Sequence, residues 1–263
     1  MPGSIGGSRE LDSDGWMSEK NLVARALTAQ GLVVPGGGGR VLDGVSVTAR
    51  GGRLLAVTGS SGSGKTTLLS VLGGLVAPAD GFVEYDGQRV DHRLGEPPTG
   101  TAFVLQTYGL VPSLSALENV SVALRARRTD PGAADRAALS VLERLGVGDL
   151  ADRLIAELSG GQLQRVAIAR ALVVEPEVLL ADEPTSELDE RNRDLVVEVL
   201  REQAERGAVV VVATHDPEVA AMCDDEVQLV DGVVVGRQLE TVPTVLDGPS
   251  HEHDAFRRPD GRR

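Results

Sequence analysis

The sequence predicts an α/β fold with a mainly parallel sheet at its core, an antiparallel β region and a helical region. Two observations predict the parallel core. Residues 54–57, 178–181 and 209–213 form short runs that are apolar throughout, which is typical of strands covered by helices on both faces. Glycine, hydroxyl or carboxylate residues follow each run at once. Ligands of open α/β sheets bind beyond the carboxyl ends of the strands, so we expect a ligand site at this edge.

An antiparallel β region is predicted from residues 22–50 and 82–90, where apolar and polar side chains alternate. A last hairpin is predicted over residues 226–235. Asp-Gly dipeptides favour tight turns between strands, and they occur at Asp43-Gly44, Asp86-Gly87 and Asp231-Gly232.

The helical region is predicted over about residues 107–175. Ser115 followed by Glu118 is a capping-box pattern that marks a helix start. Residues 133–145 have helical periodicity, and Gly146 is placed to end that helix.

One folded domain is expected over residues 21–240, between two disordered ends. The leader, residues 1–20, is rich in Gly, Ser and acidic residues, and the tail, residues 241–263, is polar with an Arg-rich end. The single cysteine, Cys223, excludes an intrachain disulfide and fits a cytoplasmic setting. We interpret it as a small buried apolar residue.

The charge and hydropathy of the chain exclude two kinds of direct partner. Its formal net charge is −13, whereas a nucleic-acid-binding protein needs a basic face to neutralise phosphates. No stretch has the roughly 18 consecutive apolar residues that span a bilayer. If the chain acts at a membrane, it is therefore expected to do so by binding a partner protein.

A phosphate-binding loop is the first motif that carries chemistry. Its residues are Gly59, Ser60, Ser61, Gly62, Ser63, Gly64, Lys65 and Thr66. The glycines let backbone N–H groups surround phosphate oxygens, Lys65 can reach the outer phosphates, and the Thr66 hydroxyl can bind Mg²⁺. A flexible Gly-Ser turn is the alternative, but an apolar strand precedes the motif and an apolar helix follows it. The core is therefore predicted to be that of a P-loop NTPase.

Two adjacent carboxylates, Asp182 and Glu183, follow the second apolar run. A carboxylate at the end of a buried strand is costly unless a cation or a reaction uses it. Asp182 is placed to hold Mg²⁺ through water, and Glu183 to orient or deprotonate an attacking water. A helix cap before Pro184 would explain only one of the two acids.

A second glycine-rich cradle precedes a predicted helix over residues 163–174. It consists of Ser159, Gly160, Gly161 and Gln162, and backbone amides at a helix start bind anions. The string Leu-Ser-Gly-Gly-Gln-Leu-Gln-Arg-Val-Ala-Ile-Ala-Arg-Ala-Leu, residues 158–172, resembles the signature sequence of ATP-binding-cassette (ABC) transporters. The resemblance extends over about residues 22–238.

The resemblance implies roles for further residues. Gln106 matches the Q-loop glutamine, which senses Mg²⁺ and the partner. Asp189 ends a segment similar to the D-loop, in which alanine is commoner at the position of Glu187. His215 matches the histidine that contacts the γ-phosphate. The implied nucleotide-binding set is the phosphate loop with Thr67, the second cradle and Asp189.

The resemblance also implies what the chain does. It would bind ATP and Mg²⁺, form a homodimer around ATP and hydrolyse it to drive membrane-spanning permease subunits. It would then be cytoplasmic and peripheral on the inner face of the cell membrane. Residues 106–120 look most like the branch that serves lipoprotein release and macrolide export. A soluble ABC ATPase and a regulatory module that works outside transport remain as alternatives.

One departure from the family concerns the nucleotide base. The family usually stacks adenine on an aromatic residue upstream of the phosphate loop. This chain has no aromatic residue between Trp16 and Phe82, and we expect the equivalent position near Val34.

Overall fold

The structure, a computed structural model, describes residues 25–37, 39–92, 95, 97–98 and 100–236. The predicted leader, residues 1–20, and the predicted tail, residues 241–263, lie outside these residues. No helix within the described ranges is long and apolar enough to cross a bilayer.

A six-stranded sheet forms the core, in the order β10-β9-β3-β8-β7-β6. Its strands are β3 (Leu54–Thr58), β6 (Thr101–Val104), β7 (Val178–Asp182), β8 (Val209–Thr214), β9 (Asp225–Val230) and β10 (Val233–Val234). Neighbouring strands are parallel except β9 and β10, which pair antiparallel. The three apolar runs are therefore strands of a mainly parallel sheet, as predicted.

Strand β8 shows why such runs are apolar throughout. Val210 and Val212 pack into the core shared with helices, whereas Val209, Val211 and Ala213 pack into the core shared with the antiparallel sheet. All six residues of β8 are buried. Successive side chains of a strand point to opposite faces, so a strand covered on both faces has no position for an exposed polar side chain.

The antiparallel sheet has the strand order β2-β1-β4-β5. Its strands are β1 (Ala26–Gly36), β2 (Gly39–Arg50), β4 (Asp80–Tyr85) and β5 (Gln88–Arg89). The turn predicted at Asp43-Gly44 is wrong. Both residues lie within β2, where the register changes from Leu32 opposite Val45 to Val34 opposite Leu42. Gly44, with φ of 70°, therefore belongs to a β-bulge, which favours a glycine with positive φ as a tight turn does.

The other two Asp-Gly turns are confirmed, since Asp86-Gly87 joins β4 to β5 and Asp231-Gly232 joins β9 to β10. Both residues of each pair have positive φ. Asp and Gly tolerate this conformation, which two-residue hairpin turns require.

Besides two short 3₁₀ helices, the described part contains six α-helices. They are α1 (Lys65–Leu72), α2 (Ala116–Arg125), α3 (Pro131–Arg144), α4 (Gly160–Leu172), α5 (Glu190–Glu205) and α6 (Pro217–Ala221). The capping box of Ser115 and Glu118 is present at the start of α2. Helix α4 begins three residues before the predicted start at 163, because the Gln162 side chain bonds back to the Ser159 amide and makes both glycines helical.

The sheet topology positions the site. The parallel strands β3, β6, β7 and β8 end at one edge of the sheet. The phosphate loop follows β3, Gln106 follows β6, Glu183 follows β7 and His215 follows β8. The sequence predicted this convergence for the residues that follow β3, β7 and β8.

Candidate nucleotide-binding and catalytic site

A cleft of about 500 Å³ lies at the carboxyl edge of the parallel sheet. Predicted site residues that line it are Ser60, Ser61, Gly62, Gly64, Lys65, Thr66, Thr67, Gln106, Asp182, Glu183 and His215. Sequence reasoning did not assign two further lining residues, Val41 and Ser186. Gly59 and Ser63 are not among the lining residues, and the Ser63 side chain is buried.

The start of helix α1 faces this cleft and is built to receive an anion. Its N-cap is Gly64, with φ of 106°, and no described side chain caps the helix or places an acid in its first turn. The first amides of α1 are therefore available to an oxygen ligand, and the helix dipole favours a negative one. Lys65 Nζ donates to the carbonyl oxygens of Gly59 at 2.8 Å and Ser60 at 3.2 Å, which holds a cation inside the loop. These features fit a nucleoside triphosphate.

The hairpin of β9 and β10 supports the phosphate loop from behind. The Gly232 amide donates to the Ser63 carbonyl at 3.1 Å. A Cβ on Gly59, whose φ is 147°, would lie 2.3 Å from the Leu229 carbonyl oxygen. Only glycine fits this approach of two backbones, so the first glycine of the motif is required by packing.

Asp182 and Thr66 form a pair of oxygen ligands at the centre of the cleft. The Thr66 hydroxyl donates to Asp182 Oδ2 at 2.6 Å. Burial raises the pKa of Asp182, and the Thr66 hydrogen bond opposes this rise. A hydroxyl and a carboxylate are hard oxygen donors of the kind that Mg²⁺ binds beside phosphates. The residues present therefore fit a magnesium ion.

Glu183 is the second buried carboxylate that lines the cleft, with a side chain that is 9% exposed. Its Oε1 accepts a hydrogen bond from His215 Nδ1 at 2.8 Å and lies 3.9 Å from Lys65 Nζ. Because an ionised carboxylate only accepts, Nδ1 carries the proton in this pair. The His215 side chain is 66% exposed, so its other nitrogen is accessible to a ligand in the cleft.

The apolar residue that lines the cleft differs from the one that the sequence suggested. Val34 is 7% exposed, packs in the core of the antiparallel sheet and does not line the cleft. Val41 lines the cleft instead, next to the loop, where its carbonyl would lie 2.9 Å from a Cβ on Gly64. The register of β1 and β2, which the bulge shifts, decides which valine lines the cleft. This register cannot be deduced from the spacing of residues in the sequence.

The second cradle lies outside the cleft of its own chain. None of Ser159, Gly160, Gly161 and Gln162 is among the residues that line it. The cradle packs against the segment after Glu183, since a Cβ on Gly161 would lie 2.7 Å from the Glu187 carbonyl oxygen. Asp189 is also outside the cleft and caps helix α5, where it accepts the Asn192 amide at 2.9 Å. The two anion cradles are thus separate within one chain.

Buried and half-buried polar side chains hold the segment that follows Gln106. Fully buried Asn119 accepts the Val111 amide at 2.7 Å and donates to the carbonyl oxygens of Val111, Leu114 and Ser115. Arg170 of α4 donates to the carbonyl oxygens of Tyr108 and Gly109 at 2.8 Å and 2.5 Å. Val111 nevertheless remains 43% exposed. The backbone of this segment is therefore fixed by hydrogen bonds, whereas the Val111 side chain lies in solvent.

Comparison with known proteins gives a consistent result. The sequence profile described as ABC transporter matches residues 42–186. The lipoprotein-releasing system ATP-binding protein LolD of Alcanivorax borkumensis is 42% identical over 201 residues, which are 74% of this chain and 88% of that protein. The macrolide export ATP-binding/permease protein MacB 1/2 of Paracoccus denitrificans is 39% identical over 241 residues. This match covers 89% of the chain but spans only 36% of that relative's length.

A solved structure has the same fold. The ATP-binding cassette MJ0796, a dimer in a post-hydrolysis state bound to ADP and Pi, superposes with a TM-score of 0.72 at 32% identity. The superposition covers 79% of this chain and 96% of that one. The fold predicted from the sequence, and its resemblance to a family of transport ATPases, are both confirmed.

Proposed function

Because the chain belongs to the ABC transporter family, whose ATP-binding subunits hydrolyse ATP, we propose that it works as a homodimer closed around ATP and powers an exporter. Two parts of this proposal go beyond family membership: the roles of individual residues and the identity of the partners. The observation that carries it is the single cleft in which the phosphate loop, Asp182 and Glu183 meet.

The chemistry of the cleft follows from the positions of its groups. The amides at the start of α1 and Lys65 hold the phosphates, while Mg²⁺, when bound by Thr66, Gln106 and Asp182, would neutralise charge on the outer phosphate oxygens. Glu183 accepts the proton of the attacking water, since a buried carboxylate beside the phosphates is a suitable general base. His215 holds the Glu183 carboxylate through Nδ1, and its other nitrogen, when it also carries a proton, would donate to an oxygen of the γ-phosphate.

In a homodimer the second cradle would contact the nucleotide that is bound by the other copy. The cradle of residues 159–162 cannot serve the nucleotide of its own chain, because it does not line that cleft. A second copy placed head to tail would bring this cradle to the exposed side of a bound triphosphate. The dimeric state of the cassette MJ0796 supports this arrangement, in which Ser159–Gln162 and Asp189 contact nucleotide across the interface.

The membrane partner is proposed from the relatives. LolD is named for a lipoprotein-releasing system, and MacB combines an ATP-binding part with a permease in one protein. We propose that this chain likewise acts on a permease and lies on the cytoplasmic, inner face of the membrane through it. Purification of the tagged full chain in mild detergent tests this. A stoichiometric membrane-spanning protein should accompany it, and an active ATPase without one would favour a soluble or regulatory ABC ATPase.

The docking surface is expected at residues 107–120. Ser113 is exposed there, beside exposed Val111, so Ser113→Cys in a Cys223→Ala background should crosslink to the co-purified permease. Ser140→Cys, exposed on α3, is the matched control. Crosslinks from position 140 without any from position 113 would place the docking surface elsewhere.

The base is expected to contribute little to nucleotide selection. Among the described residues that line the cleft none is aromatic, and Val41 is the apolar residue beside the loop. Aromatic stacking on a base is worth about 1–3 kcal/mol, and a tenfold ratio in Kd needs about 1.4 kcal/mol. We therefore expect ATP and GTP to compete within about tenfold of each other, and Val41→Tyr to tighten ATP binding.

Competition binding in the full chain and in a chain lacking residues 1–20 checks this expectation. The comparison matters because Trp16 lies outside the described residues. An ATP preference that disappears on truncation would assign base recognition to Trp16. A strong preference that persists would show that other groups read the base.

A further inference from the structure

Gln164 is a buried polar residue that the proposed chemistry does not use. It lies on α4, two residues after the second cradle, and is 1% exposed. Its Nε2 donates to the Glu183 carbonyl oxygen at 2.5 Å, and its Oε1 accepts the Glu187 amide at 3.1 Å. One side-chain amide therefore joins the helix of the cradle to the backbone on both sides of Pro184, Thr185 and Ser186.

The backbone that Gln164 holds is strained. Glu183 has φ of 50°, a left-handed conformation that is unfavourable for a residue with a side chain and persists only where its surroundings impose it. The Glu183 amide bonds to the Ala213 carbonyl at 2.9 Å. The Glu183 carbonyl accepts from Gln164 and, at 3.2 Å, from the hydroxyl of Ser186, which is exposed. Gln164 is thus the buried side chain that fixes this conformation.

The contacts of the Glu183 carboxylate with Lys65 and His215 would change during catalysis. Lys65 is placed to contact phosphates, so nucleotide binding would draw it away from the loop carbonyls and Glu183, and the His215 side chain is largely exposed. The backbone bonds of Glu183 to Ala213 and Gln164 involve no other residue that lines the cleft. They can therefore hold the general base in place while the contacts of its carboxylate change.

We propose that Gln164 is a positioning residue for Glu183, which fixes the general base to helix α4 and so to the second cradle. This inference rests on the proposed role of Glu183. Displacement of the reacting groups by about 1 Å can cost about a hundredfold in rate. Loss of the Gln164 amide should therefore lower turnover without weakening nucleotide binding, because no atom of Gln164 lines the cleft.

Gln203 provides a matched control. It is 7% exposed on α5, and its Nε2 donates to the Pro176 carbonyl oxygen at 2.9 Å. Pro176 precedes β7, whereas Glu183 follows it. Both glutamines are therefore buried and bond a backbone carbonyl beside the same strand, but at opposite ends of it.

The experiment compares Gln164→Met with Gln203→Met in the full chain, since methionine keeps the length of glutamine without its donor. Thermal unfolding, affinity for a fluorescent ATP analogue, KM and kcat are measured for each. Both variants should lose thermal stability. Gln164→Met should lower kcat at least about tenfold with KM and affinity near wild type, whereas Gln203→Met should keep kcat within about twofold.

Three outcomes would overturn the proposal: wild-type kcat in Gln164→Met, an equal loss of kcat in both variants, or a parallel loss of nucleotide affinity. If Gln164→Met does not fold, Gln164→Glu, which keeps the acceptor for the Glu187 amide, takes its place. Failure of both to fold would assign Gln164 to the fold alone. Glu183→Gln in the same assay distinguishes the positioning role of Gln164 from the catalytic role of Glu183. An active Glu183→Gln chain would refute the role of Glu183 itself.

Discussion

Replacement of Glu183 by glutamine should abolish nearly all ATP turnover while ATP still binds. Glutamine keeps the shape of the side chain and can still contact His215, but it cannot accept the proton of the attacking water. General-base catalysis contributes about 10²- to 10⁴-fold, so kcat should fall at least about a hundredfold. The phosphate loop, Lys65 and the ligands proposed for Mg²⁺ are unchanged, so the affinity for a fluorescent ATP analogue should stay near wild type.

The same substitution should trap the dimer. If hydrolysis reopens the two copies, a chain that binds ATP without cleaving it should elute as a dimer in size-exclusion chromatography with ATP and as a monomer without it. Glu205→Gln, an equal change of charge at an exposed position of α5, should behave as wild type. Normal turnover in Glu183→Gln would remove Glu183 from the mechanism.

The main features of the fold follow from the sequence because a parallel sheet leaves a strong signal. Strands covered on both faces are uninterrupted apolar runs, as in β7 and β8. Since parallel strands end at one edge, the residues after each run could be expected together. The cleft contains eleven residues that the sequence had already assigned to the site.

The features that were missed depend on register and side-chain direction. Asp43-Gly44 is a bulge because β2 continues through it, and the shifted register brings Val41, rather than Val34, to the cleft. Gln164 belongs to the family-like string, but nothing in the sequence shows that its amide reaches the Glu183 carbonyl. Such contacts depend on how α4 packs against the segment that follows β7, which no local pattern encodes.

The second cradle could be predicted from the sequence only in part. Its composition predicted an anion site, and the structure does form a helix start with two glycines there. In a homodimer each chain carries both halves, the phosphate-loop cleft and the second cradle, but the two halves would serve different nucleotides. How the halves meet depends on the interface between two copies, which no pattern within one chain encodes, so the roles of Ser159–Gln162 and Asp189 stay predictions.

Replacement of Lys65 by alanine should remove tight nucleotide binding. Lys65 is 7% exposed and is one of the two lysines of the chain. In the cleft it is the cation held by the phosphate loop itself, through the carbonyls of Gly59 and Ser60. A hydrogen bond to a charged group contributes about 1.5–3 kcal/mol, so loss of one phosphate contact should weaken ATP binding about 10- to 100-fold.

The loss should be larger for ATP than for AMP, because Lys65 is placed for the outer phosphates and the amides of α1 remain. Equilibrium titration of Lys65→Ala with fluorescent ATP and AMP analogues measures this difference. Arg206→Ala is the control, since it removes an equal charge at an exposed position at the end of α5. The net charge of −13 repels nucleotides, so this control separates a local contact from a change in the overall field. If Lys65→Ala bound ATP as tightly as Arg206→Ala does, the loop would not be the phosphate site.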